Sequence, residues 1–276
     1  MNSISRAASV AAFVAFSSGN AFALPNPTEV IPARGGPIKI TPIYHASLQI
    51  EYHGKVIQVD PFSAGDYTGA KKADYILITH THPDHFDLKA IRSLIKPGGR
   101  IMGPPAVVQA IPKIEGVDVW PANYNAAYAF GKRGSSFFVR LRAFPAYNLV
   151  RGPKPGEKYH PRGEFNGYVL TIGEDVRGGI IGEQRIYIAG DTEATPEMKG
   201  LKNIDIAFLP MNLPYTMTPQ EAAQGALAFR PKVVYPYHYR FPFDKPNDNP
   251  QQFQKALAGS GIEVRIRGWY AHPAGK

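Results

Sequence analysis

Thr79-His80-Thr81-His82-Pro83-Asp84-His85 is the stretch on which the reading of this chain turns. Three histidines and one aspartate fall within six residues. They follow Tyr75 to Thr79, a short apolar run that reads as a buried strand. On an extended or sharply turning backbone His80 and His82 point the same way, and Asp84 and His85 face a second point close by. Neutral imidazole and carboxylate are the ligands zinc prefers, and they also serve iron and manganese. A lone histidine is usually an ordinary polar side chain. This clustering points to metal instead.

Working outward, Ser47 to Tyr52 and Lys55 to Asp60 are apolar-rich runs separated by His53-Gly54, which predicts a hairpin. Asp87 to Lys96 carries helical spacing at Leu88, Ile91, Leu94 and Ile95, with Pro97-Gly98-Gly99 as its stop. The second half has the same style. Ser136 to Ala143, Tyr168 to Ile172, Arg185 to Ala189 and Ile204 to Leu209 read as strands. Thr218-Pro219-Gln220-Glu221 is a helix start with a capping box, and that helix runs to about Phe229. Lys232 to Pro236 reads as a strand leading to His238, followed by a helix from Pro250 and a strand at Glu263 to Arg267. Strands alternating with helices, with polar residues gathered past the strand ends, predict two packed sheets with helices outside. Asn148 to Gly167 is rich in Pro, Gly and basic residues and reads as one long loop, a size often tied to function.

His-x-His-x-Asp-His after a short strand resembles the signature of the metallo-β-lactamase fold hydrolases. Val59-Asp60-Pro61, Ala189-Gly190-Asp191-Thr192 and Tyr235-Pro236-Tyr237-His238-Tyr239 resemble further motifs of that family, in order, from about Ile38 to the C-terminus. Ile43-Tyr44-His45-Ala46-Ser47 and Asp60-Pro61-Phe62 resemble the branch that includes ascorbate-phosphate lactonase and the phospholipase D acting on N-acyl phosphatidylethanolamine. The resemblance implies an α/β fold, a four-layer αββα sandwich of two mixed sheets with outer helices. It implies two divalent ions, zinc first, with Mn2+ or Fe2+ as substitutes. His80 and His82 hold the first, and Asp84, His85 and His238 hold the second. Asp191 bridges them, and Asp60 orients a ligand histidine from behind. A metal-activated hydroxide then attacks a carbonyl or phosphorus, with Asp84 as the catalytic carboxylate. One place departs from the pattern. The strand ending at Phe144 is followed by Pro145-Ala146-Tyr147-Asn148, with no histidine. His160, Asn148 or a water completes the first metal, and imidazole is the stronger ligand.

The rest of the chain bounds these expectations. Its 276 residues suit one layered α/β domain, and 44% hydrophobic with 19% charged residues suits a globular protein. Cysteine is absent, which excludes disulfides, thiolate catalysis and Cys-ligated metal. Residues 1–23 read as a signal peptide. Arg6 precedes the apolar run Ala7 to Phe16, which is too short to span a bilayer, and Ala21-Phe22-Ala23 fits a cleavage site before Leu24. Residues 24–37 read as a linker or N-terminal arm, and 38–276 as the hydrolase domain. The expected location is periplasmic or secreted.

Net charge is +9, with basic residues scattered rather than massed, so nucleic acid is not expected. Arg151, Lys154, Lys158 and Arg162 in the long loop, with Arg240 beside His238, suggest a small-molecule or lipid-like anionic substrate. Expected substrate contacts are Asn148, Arg162, Tyr215, Arg240 and His45. His45 either faces the site or is a hydrogen-bonded structural histidine. Met211 to Met217 either walls the pocket or faces the core. The function expected is cleavage of an ester, lactone or phosphodiester. The rival readings are a mono-iron oxygen-using enzyme on His80, His82 and His160, and a non-catalytic metal-binding protein.

Overall fold

A computed structural model describes residues 26–33, 35–131, 138–176 and 179–275. The first half is one seven-stranded sheet in chain order, β1 (Glu29–Ile31), β2 (Ile38–Tyr44), β3 (Ser47–Tyr52), β4 (Lys55–Val59), β5 (Ala73–Leu77), β6 (Ile95–Gly103) and β7 (Asp118–Pro121). Helix α1 (Leu88–Leu94) joins β5 to β6, and α2 (Pro105–Ala110) joins β6 to β7. The pairs β1 through β4 are antiparallel, and those from β4 to β7 are parallel.

The second half mirrors this plan. Its strands β8 (Ala127–Phe130), β9 (Phe138–Ala146), β10 (Phe165–Val176) and β11 (Gly179–Ile188) run antiparallel. Helix α3 (Pro196–Lys199) leads to β12 (Ile206–Pro210), α4 (Pro219–Phe229) to β13 (Val233–Tyr237), and α5 (Asn249–Ala256) to β14 (Glu263–Val264). These last strands are parallel to β11. The result is the α/β sandwich of two mixed sheets that the sequence predicts.

Alternation along β5 shows how the layers divide. Leu77 joins the large core shared by both sheets, while Ile76 and Ile78 join a second cluster with Ile91 and Leu94 of α1 and Val107 of α2. Successive side chains of a strand point to opposite faces, so a strand covered on both faces is apolar throughout. Helices α3, α4 and α5 join the large core through Met198, Ala226, Phe229 and Phe253. Thr218 and Glu221 form the predicted capping box.

Several boundaries differ from the sequence reading. The arm 24–37 contributes a strand of its own. Glu29 is held there by Arg265 and Arg267, and Asn26 donates to the Ile43 carbonyl. Helix α1 stops at Leu94, not Lys96. The residue before a proline is pushed toward extended backbone, so Lys96 enters β6, where Ile95 already pairs with Ala73. Strand β5 ends at Leu77 because the Thr79 N–H goes to the Asp60 carboxylate rather than to a neighbouring strand. The expected start of a strand at Ser136 and the signal peptide at 1–23 lie outside the described residues.

The strand directions fix where chemistry can gather. In the first sheet β2, β4 and β5 run the same way, and in the second β9, β11, β12 and β13 do. His45 follows β2, Asp60 follows β4, and His80 to His85 follow β5. Asn148 follows β9, Asp191 follows β11 and His238 follows β13. Loops beyond the carboxyl ends of strands are the usual site location in layered α/β folds.

Candidate metal centre

Three of these residues turn the chain abruptly as their strands end. His45, Asp60 and His238 have φ of 56°, 40° and 46°, a left-handed conformation that non-glycine residues seldom adopt. Gly190, with φ of 64°, does the same before Asp191. A Cβ there would stand 2.7 Å from the Asn166 carbonyl, so only glycine fits. The Tyr237 hydroxyl accepts the Gly190 N–H at 2.9 Å and fixes the turn.

Two groups of ligand atoms result. His80, His82, His160 and Asp191 form one. His45, Asp84, His85 and His238 form the other. In each the four ligand atoms lie within 4.8 Å of one another. Asp191 lies between them. Its Oδ2 is 3.3 Å from His160 Nε2, while its Oδ1 is 3.3 Å from His238 Nε2 and 3.5 Å from His85 Nε2.

The surroundings decide which ring nitrogen is free. Asp60 Oδ2 accepts from His85 Nδ1 at 2.8 Å and from the Thr79 hydroxyl at 2.7 Å. That hydroxyl, its own proton committed, accepts from His80 Nδ1 at 2.9 Å. Both Nδ1 atoms therefore carry hydrogen, and both Nε2 atoms face the centre. Asn148 does the same for His160. Its amide nitrogen donates to Glu193 and to the Tyr215 carbonyl, leaving Oδ1 to accept His160 Nδ1 at 2.7 Å and the His160 N–H at 2.8 Å.

Buried polar atoms normally have partners. Here His80 Nε2, His160 Nε2 and Asp191 Oδ1 have none among the described residues. Three converging orphans of this chemistry fit a cation. The titration of the protein alone says the same. Burial opposes charge on His85, but Asp191, Asp84 and Asp60 overcome it and raise its pKa to about 10. Asp84 is held well below the usual carboxylate range against its own burial, chiefly by His85 and His238. Burial, then the neighbouring His85, lowers His80. His85 thus draws positive charge to the second group, while His80 and His82 of the first are held toward the neutral form.

Of the two roles expected for His45, the structure places it as a hydrogen-bonded histidine. It is fully buried, with Nε2 3.0 Å from Asp84 Oδ2 and Nδ1 2.6 Å from the Tyr270 hydroxyl. Burial and His238 lower its pKa to about 3. It therefore stands behind Asp84. Asn148 is likewise spent on His160, Glu193 and Tyr215. Arg162 is exposed and bonds Glu197 at 2.7 Å. Arg240 lays its guanidinium 4.6 Å over the Tyr270 ring. None of these four lines the cavity above the centre.

That cavity, about 480 Å3, is bordered by His82, Asp84, His160, Asp191 and His238 at its base. Its walls are Phe62, Pro83, Tyr159, Asn212, Tyr215, Phe241 and Phe243. Of the expected contacts Tyr215 is there. Tyr159, Phe241 and Phe243 were not singled out from sequence. They lie on two loops, after β9 and β13, and only the aromatic content near His160 and His238 hinted at them. The loop carrying His160 is pinned at its base. The Asn148 N–H donates to the His160 carbonyl at 2.9 Å, and Glu193 accepts the N–H groups of Leu149, Val150 and Arg151.

The model of the β-lactamase superfamily domain matches residues 39–238. This chain belongs to that family. A metal-dependent hydrolase of Parabacteroides distasonis shares this superfamily fold at a TM-score of 0.71, with 42% identity over 88% of this chain and 98% of its own. Two members called UPF0173 metal-dependent hydrolases are also similar. That of Anoxybacillus flavithermus is 30% identical over 83% of this chain and 97% of its own. That of a Geobacillus strain is 32% identical over 82% and 100%. The matched span of the superfamily domain runs from β2 to His238, so it contains both ligand groups.

Proposed function

We propose that this member of the metal-dependent hydrolases is an exported enzyme that holds two divalent ions, zinc first, and hydrolyses an ester, lactone or phosphodiester. The observation that carries the reading is Asp191. It turns one carboxylate oxygen to each ligand group, beside the orphaned Nε2 atoms of His80 and His160. His80, His82 and His160 would hold one ion, Asp84, His85 and His238 the other, with Asp191 common to both.

Such ions supply a water of lowered pKa and a Lewis acid for the scissile oxygen. The chain supplies the rest. Asp60, Thr79 and Asn148 lock the imidazole tautomers, so no ligand has to reorient. Asp84 is the group placed to orient the attacking water and pass its proton to the leaving oxygen. Its side chain is 28% exposed, whereas those of Asp191 and Asp60 are only 4% and 1% exposed. His45, backed by Tyr270, holds Asp84 in that pose. Export is supported by Arg6, the apolar run to Phe16 and Ala21-Phe22-Ala23. Among the described residues no helix is long and apolar enough to cross a membrane.

The test is elemental analysis of gently purified protein together with turnover of ester, lactone and phosphodiester substrates. Two metals per chain with hydrolysis are expected. One iron per chain with oxygen consumption, or full metal without any turnover, would refute the reading. Mass analysis of the mature protein from the periplasm or medium should find Leu24 as the first residue.

A further inference from the structure

We infer that the cavity above the metal centre selects an uncharged carboxylic ester or lactone carrying an apolar group, and rejects the anionic substrates that the basic loop suggests. The inference rests on the hydrolase reading for its chemistry, but on the cavity walls for its selectivity.

Five aromatic rings run around the cavity in unbroken contact. Tyr159 meets Tyr215 at 5.0 Å, Tyr215 meets Phe241 at 5.9 Å, Phe241 meets Phe243 at 5.4 Å and Phe243 meets Phe62 at 5.9 Å. Interplanar angles of 69°, 83°, 86° and 58° make each contact edge-on or tilted. These rings come from four separate loops, after β4, β9, β12 and β13. Mutually packed rings are held in place, so the wall exists before any substrate arrives.

Among the described residues no lysine or arginine lines this cavity. The nearby arginines and Lys154 are engaged elsewhere, and Lys158 lies outside the lining. Arg151 forks onto Glu221 at 2.7 and 2.9 Å, Lys154 pairs with Glu157, and Arg162 bonds Glu197. Arg240 stacks on Tyr270 and donates to the Phe243 carbonyl. An anionic tail would therefore lie against aromatic side chains that offer it no cation. Away from the ligand groups it would lose water with no partner in the wall. A cationic tail would meet ring faces but would also share the cavity with two divalent ions. A neutral alkyl or aryl tail meets neither penalty, and each methylene buried should be worth roughly fourfold in binding. The reaction balances with water alone. Its oxygen bonds to the acyl carbon, the carbon–oxygen ester bond breaks, and the proton goes to the leaving oxygen.

The experiment separates binding from turnover. Metal-loaded protein is titrated calorimetrically with hexanophenone, with its para-carboxylate and with its para-trimethylammonium analogue. In parallel, kcat/KM is measured for 4-nitrophenyl butanoate, hexanoate, mono-adipate and 6-trimethylammonio-hexanoate, and for bis(4-nitrophenyl) phosphate. The neutral ketone should bind at least tenfold tighter than either charged analogue. Hexanoate should exceed both charged esters by a similar ratio and butanoate by several-fold, and Phe241→Ala should shrink that chain-length gain. Equal or better binding of a charged analogue, a preference for the phosphodiester, or a chain-length gain intact in Phe241→Ala would overturn the inference. Selective ketone binding with no hydrolysis of any ester or phosphodiester would instead strike the hydrolase reading and leave the selectivity standing.

Discussion

The two ligand groups are similar in number but differ in what stands behind them. His85 in the second group leans on a buried carboxylate, Asp60, and the group draws its ligands from three turns placed directly at strand ends. His160 in the first leans on a neutral amide, Asn148, from a loop that leaves the sheet for eighteen residues between β9 and β10. A carboxylate behind an imidazole raises its basicity more than an amide does. The comparison teaches that the second site is built by the sheet and the first is completed by a loop, so the first ion should be the easier to remove.

The largest test abolishes the distinction. Asp191→Asn withdraws negative charge from both groups at once. Both ions should be lost, and activity should fall by more than the roughly 10–100-fold that follows removal of a supporting partner. Elemental analysis and kcat/KM check this, with circular dichroism to show the fold intact. Retention of two ions at full turnover would mean Asp191 is not shared.

Replacing the backing residues one at a time sharpens the contrast. Asp60→Asn should weaken the second ion by about 10–100-fold and also lower stability, since Asp60 accepts three buried hydrogen bonds. Asn148→Ala should weaken the first ion alone, and His160→Ala more so. Stepwise removal by a chelator, followed by metal analysis, reads each affinity. Loss of the first ion in Asn148→Ala with full occupancy in His160→Ala would show that the loop supplies its ligand from the wrong residue.

A smaller effect should appear in the metal-free protein. The folded pKa of His85 is raised to about 10, above the usual ~6.5 of an unfolded histidine. Its stabilising contribution is complete below ~6.5 and is lost as pH rises through 10. Melting temperature of metal-free protein should therefore decline from pH 7 to pH 10, and Asp60→Asn should flatten the decline. Smallest of all, Tyr270→Phe removes the partner of His45 Nδ1 together with the hydroxyl's bonds to the Arg240 backbone. It should lower kcat modestly with both ions retained. Loss of metal in that variant would place His45 among the ligands rather than behind Asp84.

Contiguous chemistry was legible in the sequence. His80 to His85 stand in one turn, and the capping box at Thr218 is four adjacent residues. Asp60, Asp191 and His238 could be read only through the resemblance of their motifs, in order, to those of the family, since each alone reads as a turn or core residue. What depends on distant neighbours could not. His160 and Asn148 are twelve residues apart, and only the folded loop shows the amide oxygen spent on the ring. The pairing of the arginines was hidden for the same reason. Nothing in the sequence says that Glu193, Glu197 and Glu221 stand beside Arg151 and Arg162. The aromatic wall is assembled from four loops and has no local pattern to find.

The clamp at the base of the long loop has a practical consequence. Asn148 and His160 close it by a backbone bond, and Glu193 ties Leu149 to Arg151 back to the turn that carries Asp191. Residues 153–157 project beyond that knot and are exposed. Exposed loop tips are where chains best accept insertion and where proteases cut first. A peptide tag placed between Lys154 and Gly156, or a single nick there, should leave both halves of the knot tied. The tip is thus a handle by which the enzyme can be labelled, immobilised or given a new recognition segment beside its cavity.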